Sequence, residues 1–166
     1  MYLFATPRLA LRRFRADDLE AFHEMQCNAE VMRYIKPTMT LAESRQELQR
    51  FIAMYTTAGP TIGLWAADHR ELNELVGMAG IYANDGGEYE VAYRLRQKYW
   101  GQGMASELAP AVIRYGFDHL NLPRLVGCAH EENVASVRIL DQHMRFLEAY
   151  PSNIRPGLER KYELTA

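Results

Sequence analysis

A mixed β-sheet flanked by helices, of the α/β or α+β kind, is the fold class this sequence predicts. Three observations lead there. Segments with strand alternation are followed by segments with helical spacing; a run of antiparallel-type strands precedes the alternating part; and one cleanly alternating strand passes through a glycine-bearing turn straight into a long helix. The 166 residues suit one domain, and no repeat, low-complexity tract or polar linker divides positions 1–166.

The elements follow in order. Arg8 to Phe14 alternates well enough for a first strand, and Ala16 to Gln26 puts Leu19, Phe22 and Met25 roughly on one helical face. Thr40 and Glu43 have the spacing of a capping box, in which each side chain satisfies a free N–H at a helix start. Leu48, Phe51, Ile52 and Tyr55 then repeat at helical spacing, so a second amphipathic helix is predicted to end near Gly59-Pro60. Thr61 to Asp68 and Leu75 to Tyr82 read as paired strands. From Glu88 to Leu95, Tyr89, Val91, Tyr93 and Leu95 face one way, and Glu88, Glu90, Ala92 and Arg94 the other. A helix from about Gly103 to Leu120 keeps Met104, Leu108, Val112 and Tyr115 in register, with Pro110 predicting a local kink or loosening. Pro123 to Ala129 is a short strand, Asn133 to His143 a helix, and Arg145 to Tyr150 with Leu158 to Leu164 the closing strands.

Composition excludes several function classes. Apolar residues make up 48 %, charged residues 24 %, and the net charge is −2, so a broad basic face for nucleic acid is not expected. Cys27 and Cys128 lack metal-ligand spacing and are expected to be buried small apolar residues rather than a disulfide framework. The scattered His23, His69, His119 and His143 predict no metal site. No stretch approaches the roughly 20 apolar residues of a membrane span, and the first residues lack the cationic-then-apolar pattern of a secretory signal. The expectation is a cytoplasmic protein without a membrane or nucleic-acid partner.

The most informative stretch is Trp100-Gly101-Gln102-Gly103-Met104-Ala105, between strand and helix. Two glycines let the backbone turn tightly, and successive N–H groups with the helix dipole make an anion site suited to a pyrophosphate. The bland alternative is a strand-to-helix turn that needs positive φ. The third glycine and distant acid of the dinucleotide fingerprint are missing, as is the Gly-Lys-Ser/Thr of the phosphate-binding loop.

Four stretches, Thr6-Pro7-Arg8-Leu9-Ala10-Leu11-Arg12, Glu90-Val91-Ala92-Tyr93-Arg94-Leu95, Tyr99-Trp100-Gly101-Gln102-Gly103-Met104-Ala105-Ser106-Glu107 and Glu132-Asn133-Val134-Ala135-Ser136-Val137-Arg138, resemble successive motifs of the GNAT acetyltransferase superfamily, in family order, and most of all its RimJ/RimL-like branch. The resemblance implies an α+β fold with a mixed, mostly antiparallel sheet flanked by helices, and acetyl-CoA as cosubstrate without a metal. It implies that the amides from Gly101 through Gln102, Gly103, Met104 and Ala105 to Ser106 cradle the pyrophosphate. The strand residues Tyr93, Arg94 and Leu95 would pair with the pantetheine arm, and Asn133 would fix the cofactor. Trp100 stands where many members have Gln or Arg. The family's glycine after the last helix is missing from Asp141-Gln142-His143-Met144-Arg145-Phe146, so the resemblance leaves the last strands undefined.

Acetyl transfer to an amine needs a neutral amine, a stabilised oxyanion and a proton for the departing thiolate. An α-amine with pKa ~7.7–8 costs about 1 kcal/mol to deprotonate at neutral pH, a lysine about 4–5 kcal/mol, so a weak or water-relayed base suits α-amines. Glu90 is the candidate base; its alternative is a surface carboxylate paired with Arg94. Ser136 is the candidate proton donor; the alternative for Ser136 and Asn133 is helix capping. Tyr93 as an alternating strand aromatic reads as core. His130, Glu131 and Glu132 are expected near the site, and Tyr34, Phe51 and Tyr55 could shape an acceptor pocket. The expected acceptor is a protein or peptide N-terminus or a small-molecule amine, and a homodimer is compatible with the sequence. A non-catalytic acyl-CoA-binding module is the alternative reading.

Overall fold

The computed structural model describes residues 2–57 and 62–166. In chain order the elements are β1 (Tyr2–Ala5), β2 (Leu9–Arg12), α1 (Leu19–Gln26), α2 (Ala29–Met32), α3 (Leu41–Thr57), β3 (Gly63–His69), β4 (Leu75–Ala83), β5 (Tyr89–Leu95), α4 (Met104–Asp118), β6 (Arg124–His130), α5 (Val134–His143), β7 (Arg145–Pro151) and β8 (Leu158–Thr165). The eight strands form one sheet in the order β1-β2-β3-β4-β5-β6-β8-β7.

Neighbouring strands are antiparallel except β5 and β6, which are parallel and meet only at Glu90↔Val126. By contrast β4 and β5 stay paired from Gly77↔Leu95 to Ala83↔Tyr89. Beyond Glu90 the sheet splays, and the edge of β5 from Val91 to Leu95 is left without a strand partner on the β6 side. This split positions the site.

Helices cover the sheet through the apolar positions that the periodicity picked out. Phe14, Phe22 and Phe51 pack with ring centroids 5.4, 6.1 and 5.7 Å apart, which joins α1 and α3 to the chain leaving β2. Tyr115 of α4 lies 4.7 Å from Phe4 and 5.2 Å from Trp65. Leu9, Leu11, Trp65, Ile81, Leu108 and Leu125 are fully buried, each contributing about 1.5–3 kcal/mol relative to exposure. A buried ion triad ties β2 to β3: Arg12 reaches Asp18 at 2.7 and 2.8 Å and Asp68 at 2.6 and 3.0 Å.

The capping box forms, with the Thr40 N–H donating to Glu43 at 2.7 Å and the Glu43 N–H to the Thr40 hydroxyl at 3.3 Å. The predicted end of this helix at Gly59-Pro60 and strand start at Thr61 lie outside the described residues. Pro110 sits inside α4, which runs unbroken through it. Two elements were not expected, β1 and the single turn α2, which Asn28 caps by accepting from Glu30 and Val31. The missing glycine has a simple explanation: Met144, at φ −137° and ψ 158°, passes from α5 straight into extended backbone, so no left-handed residue is required. The expectation of two buried cysteines is corrected, since Cys27 is exposed and Cys128 half-buried. No helix among the described residues is long and apolar enough to cross a membrane.

Candidate active site

The turn after β5 is built for close approach. Gly101 and Gly103 have φ of +72° and +74°, a region where a β-carbon costs roughly 1–2 kcal/mol. Nothing lies within 4 Å of where a Gly101 β-carbon would sit, and at Gly103 the nearest atom is Arg8 Nη2 at 3.6 Å. Gly103 is the N-cap of α4 and no side chain caps it. The first-turn N–H groups are therefore without a side-chain acceptor, at the positive end of the helix dipole.

Around this turn the chain is braced. The Trp100 indole donates to the Leu95 carbonyl at 3.0 Å, Arg8 Nη1 to the Gln102 carbonyl at 2.8 Å, and the Gln102 amide to the Lys98 carbonyl at 3.0 Å. Glu107, in the first turn of α4, accepts from the Arg8 backbone at 2.8 Å, from Arg8 Nε at 2.7 Å and from the Thr6 hydroxyl. Burial pushes its carboxyl up, but the Thr6 and Arg8 donors outweigh that and hold it below its ordinary value. The Thr-Pro-Arg segment is thus a clamp on the start of α4.

Two grooves open on the splayed sheet. The first, about 660 Å³, runs from the turn past Leu95 to α5, and its walls include Gly101, Gly103, Met104, Ala105, Ser106 and Asn133. The second, about 800 Å³, is walled by α3, the β4–β5 turn, β6 and the β7–β8 hairpin, and includes Glu90. Tyr34, Tyr93, Arg94 and Ser136 line both, which makes them the junction. At the junction the buried Tyr93 hydroxyl faces Ser136. Burial pushes this phenol up and the neighbouring Ser136 opposes the shift, so it stays protonated at neutral pH.

Among the residues expected from the sequence, all of the proposed cofactor contacts line the first groove except Gln102, whose side chain braces the turn through Nε2. Glu90 is not paired with Arg94. It accepts from Asn84 at 3.1 Å and faces the Tyr82 hydroxyl, whose pKa is raised by burial and then by the Glu90 charge. The capping weighed for Asn133 is present, since it accepts from the Ser136 N–H at 3.4 Å at the start of α5, and both residues line the first groove. Tyr34 and Phe51 line the second groove, whereas Tyr55 is core, its hydroxyl donating to the Leu64 carbonyl at 2.5 Å. His130 is buried behind Tyr34, with the rings stacked at 5.3 Å; Glu131 and Glu132 line neither groove.

The sequence reading missed Gln26, Tyr82, Cys128 and Tyr150. Cys128 and Tyr150 touch at 3.7 Å in the second groove, where burial first and then Glu90 push the Cys128 thiol up to about 11. These side chains come from separate elements, and no local spacing could have joined them. Among the described residues no group of three His, Cys, Asp or Glu could hold a metal.

A family model described as an acetyltransferase (GNAT) domain matches residues 8–143. The uncharacterised N-acetyltransferase YoaA of Bacillus subtilis is 31 % identical over 143 residues, which span 83 % of this chain and 79 % of YoaA. A GNAT-family acetyltransferase structure from Bacillus anthracis superposes with a TM-score of 0.85 at 26 % identity, covering 99 % of this chain and 98 % of its own. RimL, a ribosomal L7/L12 α-N-protein acetyltransferase solved with coenzyme A, shares the fold at a TM-score of 0.82 over 99 % of this chain and 98 % of RimL, with 16 % identity.

Proposed function

Since this chain belongs to the GNAT acetyltransferase family, and is an acetyl-CoA-dependent acetyltransferase, we propose that it transfers the acetyl group by direct attack of a primary amine, either the α-amine of a peptide N-terminus or a small-molecule amine. The observation that carries this reading is the meeting of two grooves at Tyr34, Tyr93, Arg94 and Ser136, with an uncapped helix start at the far end of one of them. Bound acetyl-CoA supplies an activated acyl group on a thioester.

The residues of this chain divide the remaining work. The amides from Gly101 to Ser106 hold the diphosphate, and the open edge of β5 at Tyr93 to Leu95 offers backbone groups to the pantetheine arm. Glu90, in the second groove, takes the ammonium proton directly or through water, with Asn84 and Tyr82 fixing its carboxylate. As nitrogen bonds to the acyl carbon and the carbon–sulfur bond breaks, the proton for the thiolate comes from Ser136 or the adjoining Tyr93 hydroxyl. No enzyme-bound acyl group is formed.

The test is thiol release from acetyl-CoA by the purified chain with a panel of peptides and small amines. We expect acceptor-dependent release together with stabilisation by CoA that exceeds stabilisation by ADP or NAD. At 100 times Kd this is about 2.7 kcal/mol, a rise in Tm of roughly 5–11 °C. Tight CoA binding without release to any amine would instead describe a binding module.

A further inference from the structure

We propose that the acceptor carries a carboxylate on the same carbon as its amine, as a free α-amino acid does, and that Arg94 is the residue that takes this carboxylate. The proposal rests on the transfer reading above and narrows its acceptor class.

Arg94 is the odd cation of the second groove. Lys36 and Arg50 are both paired with Glu47, at 2.8 and 2.9 Å. Arg94 reaches only neutral groups, Gln26 Oε1 at 2.5 Å and the Met32 sulfur at 3.4 Å, and its buried Nε has no partner. Among the described residues no carboxylate lies within ion-pair distance of it. Burial lowers its pKa to about 10, which still leaves it charged at neutral pH. The one carboxylate that acts on it, Glu47, does so through space and is already bonded to Lys36 and Arg50, so burial outweighs it; a buried cation without a bonded counter-ion is costly, and an anion brought by a ligand reduces that cost. Behind Arg94 the fully buried Gln26, which accepts from it through Oε1, also has an amide nitrogen without a partner, so the surroundings of the guanidinium supply no anion.

The rest of the groove has the opposite sign. Asp85, Glu90 and Glu159 line it and none of them pairs with Arg94, so the groove offers carboxylates to an approaching ammonium and a separate cation to an anion. A polycation such as a polyamine would set a second positive charge against Arg94, which disfavours it. The distance between the two charges of the acceptor follows from the junction. Arg94 borders the cofactor groove as well as the acceptor groove, so the anion it holds must sit close to the attacking nitrogen. A carboxylate on the same carbon meets that requirement, whereas one at the far end of a long chain does not.

The experiment compares matched acceptors at saturating acetyl-CoA: α-amino acids with varied side chains, the amide of each, and the amine left when the carboxylate is removed. The expected result is a kcat/KM at least tenfold higher for the acids than for their amides and decarboxylated amines. In Arg94→Gln the acid-to-amide ratio should fall toward one, chiefly through KM for the acids, and Arg94→Lys should recover part of the ratio. Amides or longer peptides used as well as the acids by the unaltered protein would overturn the proposal and leave the transfer reading intact, as would a ratio unchanged in Arg94→Gln. If acetyl-CoA were bound but no amine of any kind released its thiol, both readings would fall together. Because the first comparison uses the unaltered protein, it decides the matter even if the Arg94 variants do not fold.

Discussion

At the scale of single residues, the chemistry depends on which groups can move a proton at the junction. Glu90→Gln removes the carboxylate while keeping its size, so kcat/KM should drop by about 10²- to 10⁴-fold. A pH–rate profile should also lose its acid-side limb, and a limb left in place would remove Glu90 from the role of base. Ser136→Ala should lower kcat by about 10²-fold, the low end of the same range, because the protonated Tyr93 hydroxyl stands next to it. Single-turnover thiol release would detect the step affected. Part of this site could be read from the sequence. Asn133 and Ser136 form a local pattern, and Glu90 lies on a strand whose alternation is unmistakable. The isolation of Arg94 could not be read, because it depends on Gln26 and Met32 of α1 and α2, and the sequence suggested Glu90 as its partner instead. Nor could the placing of the Tyr93 hydroxyl beside Ser136, since alternation reports which face a side chain takes and not what it meets there.

At the scale of elements, α4 and the turn before it are the proposed anchor for the diphosphate, and the Thr6-Arg8 clamp on Glu107 holds them in place. Glu107 titrates below its ordinary value of 4.5 in the folded chain. A carboxylate with a depressed folded pKa stabilises fully above its unfolded pKa, and that stability is lost as pH falls through the folded value. The melting temperature should therefore fall on acidification below about pH 5, and Glu107→Gln should be less stable at pH 7 and show a smaller fall. An acid dependence identical in the variant would show that the clamp contributes nothing. Helices with long apolar stripes, α3 and α4 above all, were legible because each buried position lies one turn from the next. The four-residue α2 carries too few positions for a period, and β1 is paired on one side only, at a sheet edge where burial imposes little pattern. The junction of α5 with β7 shows the reverse case, in which a departure from the family motif has no structural cost.

For the molecule as a whole, the triad of Arg12, Asp18 and Asp68 joins the first strands into one unit, and its burial makes each member dependent on the others. Asp68→Ala leaves the buried guanidinium half-paired and should cost about 3–5 kcal/mol, a drop in Tm of roughly 6–20 °C by calorimetry; a change of a degree or two would mean that solvent replaces the lost partner. The sequence pattern did not reveal the triad, since three charged residues on separate segments look like solvated surface until the strands are paired. Two tryptophans also divide the molecule in a useful way. Trp65 is fully buried, and Trp100 stands 45 % exposed on the wall of the cofactor groove. The first should emit at short wavelength whatever is bound, while the second should be quenched or shifted by a nucleotide tail beside it. With acetyl-CoA held as proposed, the chain would carry its own optical gauge of occupancy together with an internal standard, and need no added dye.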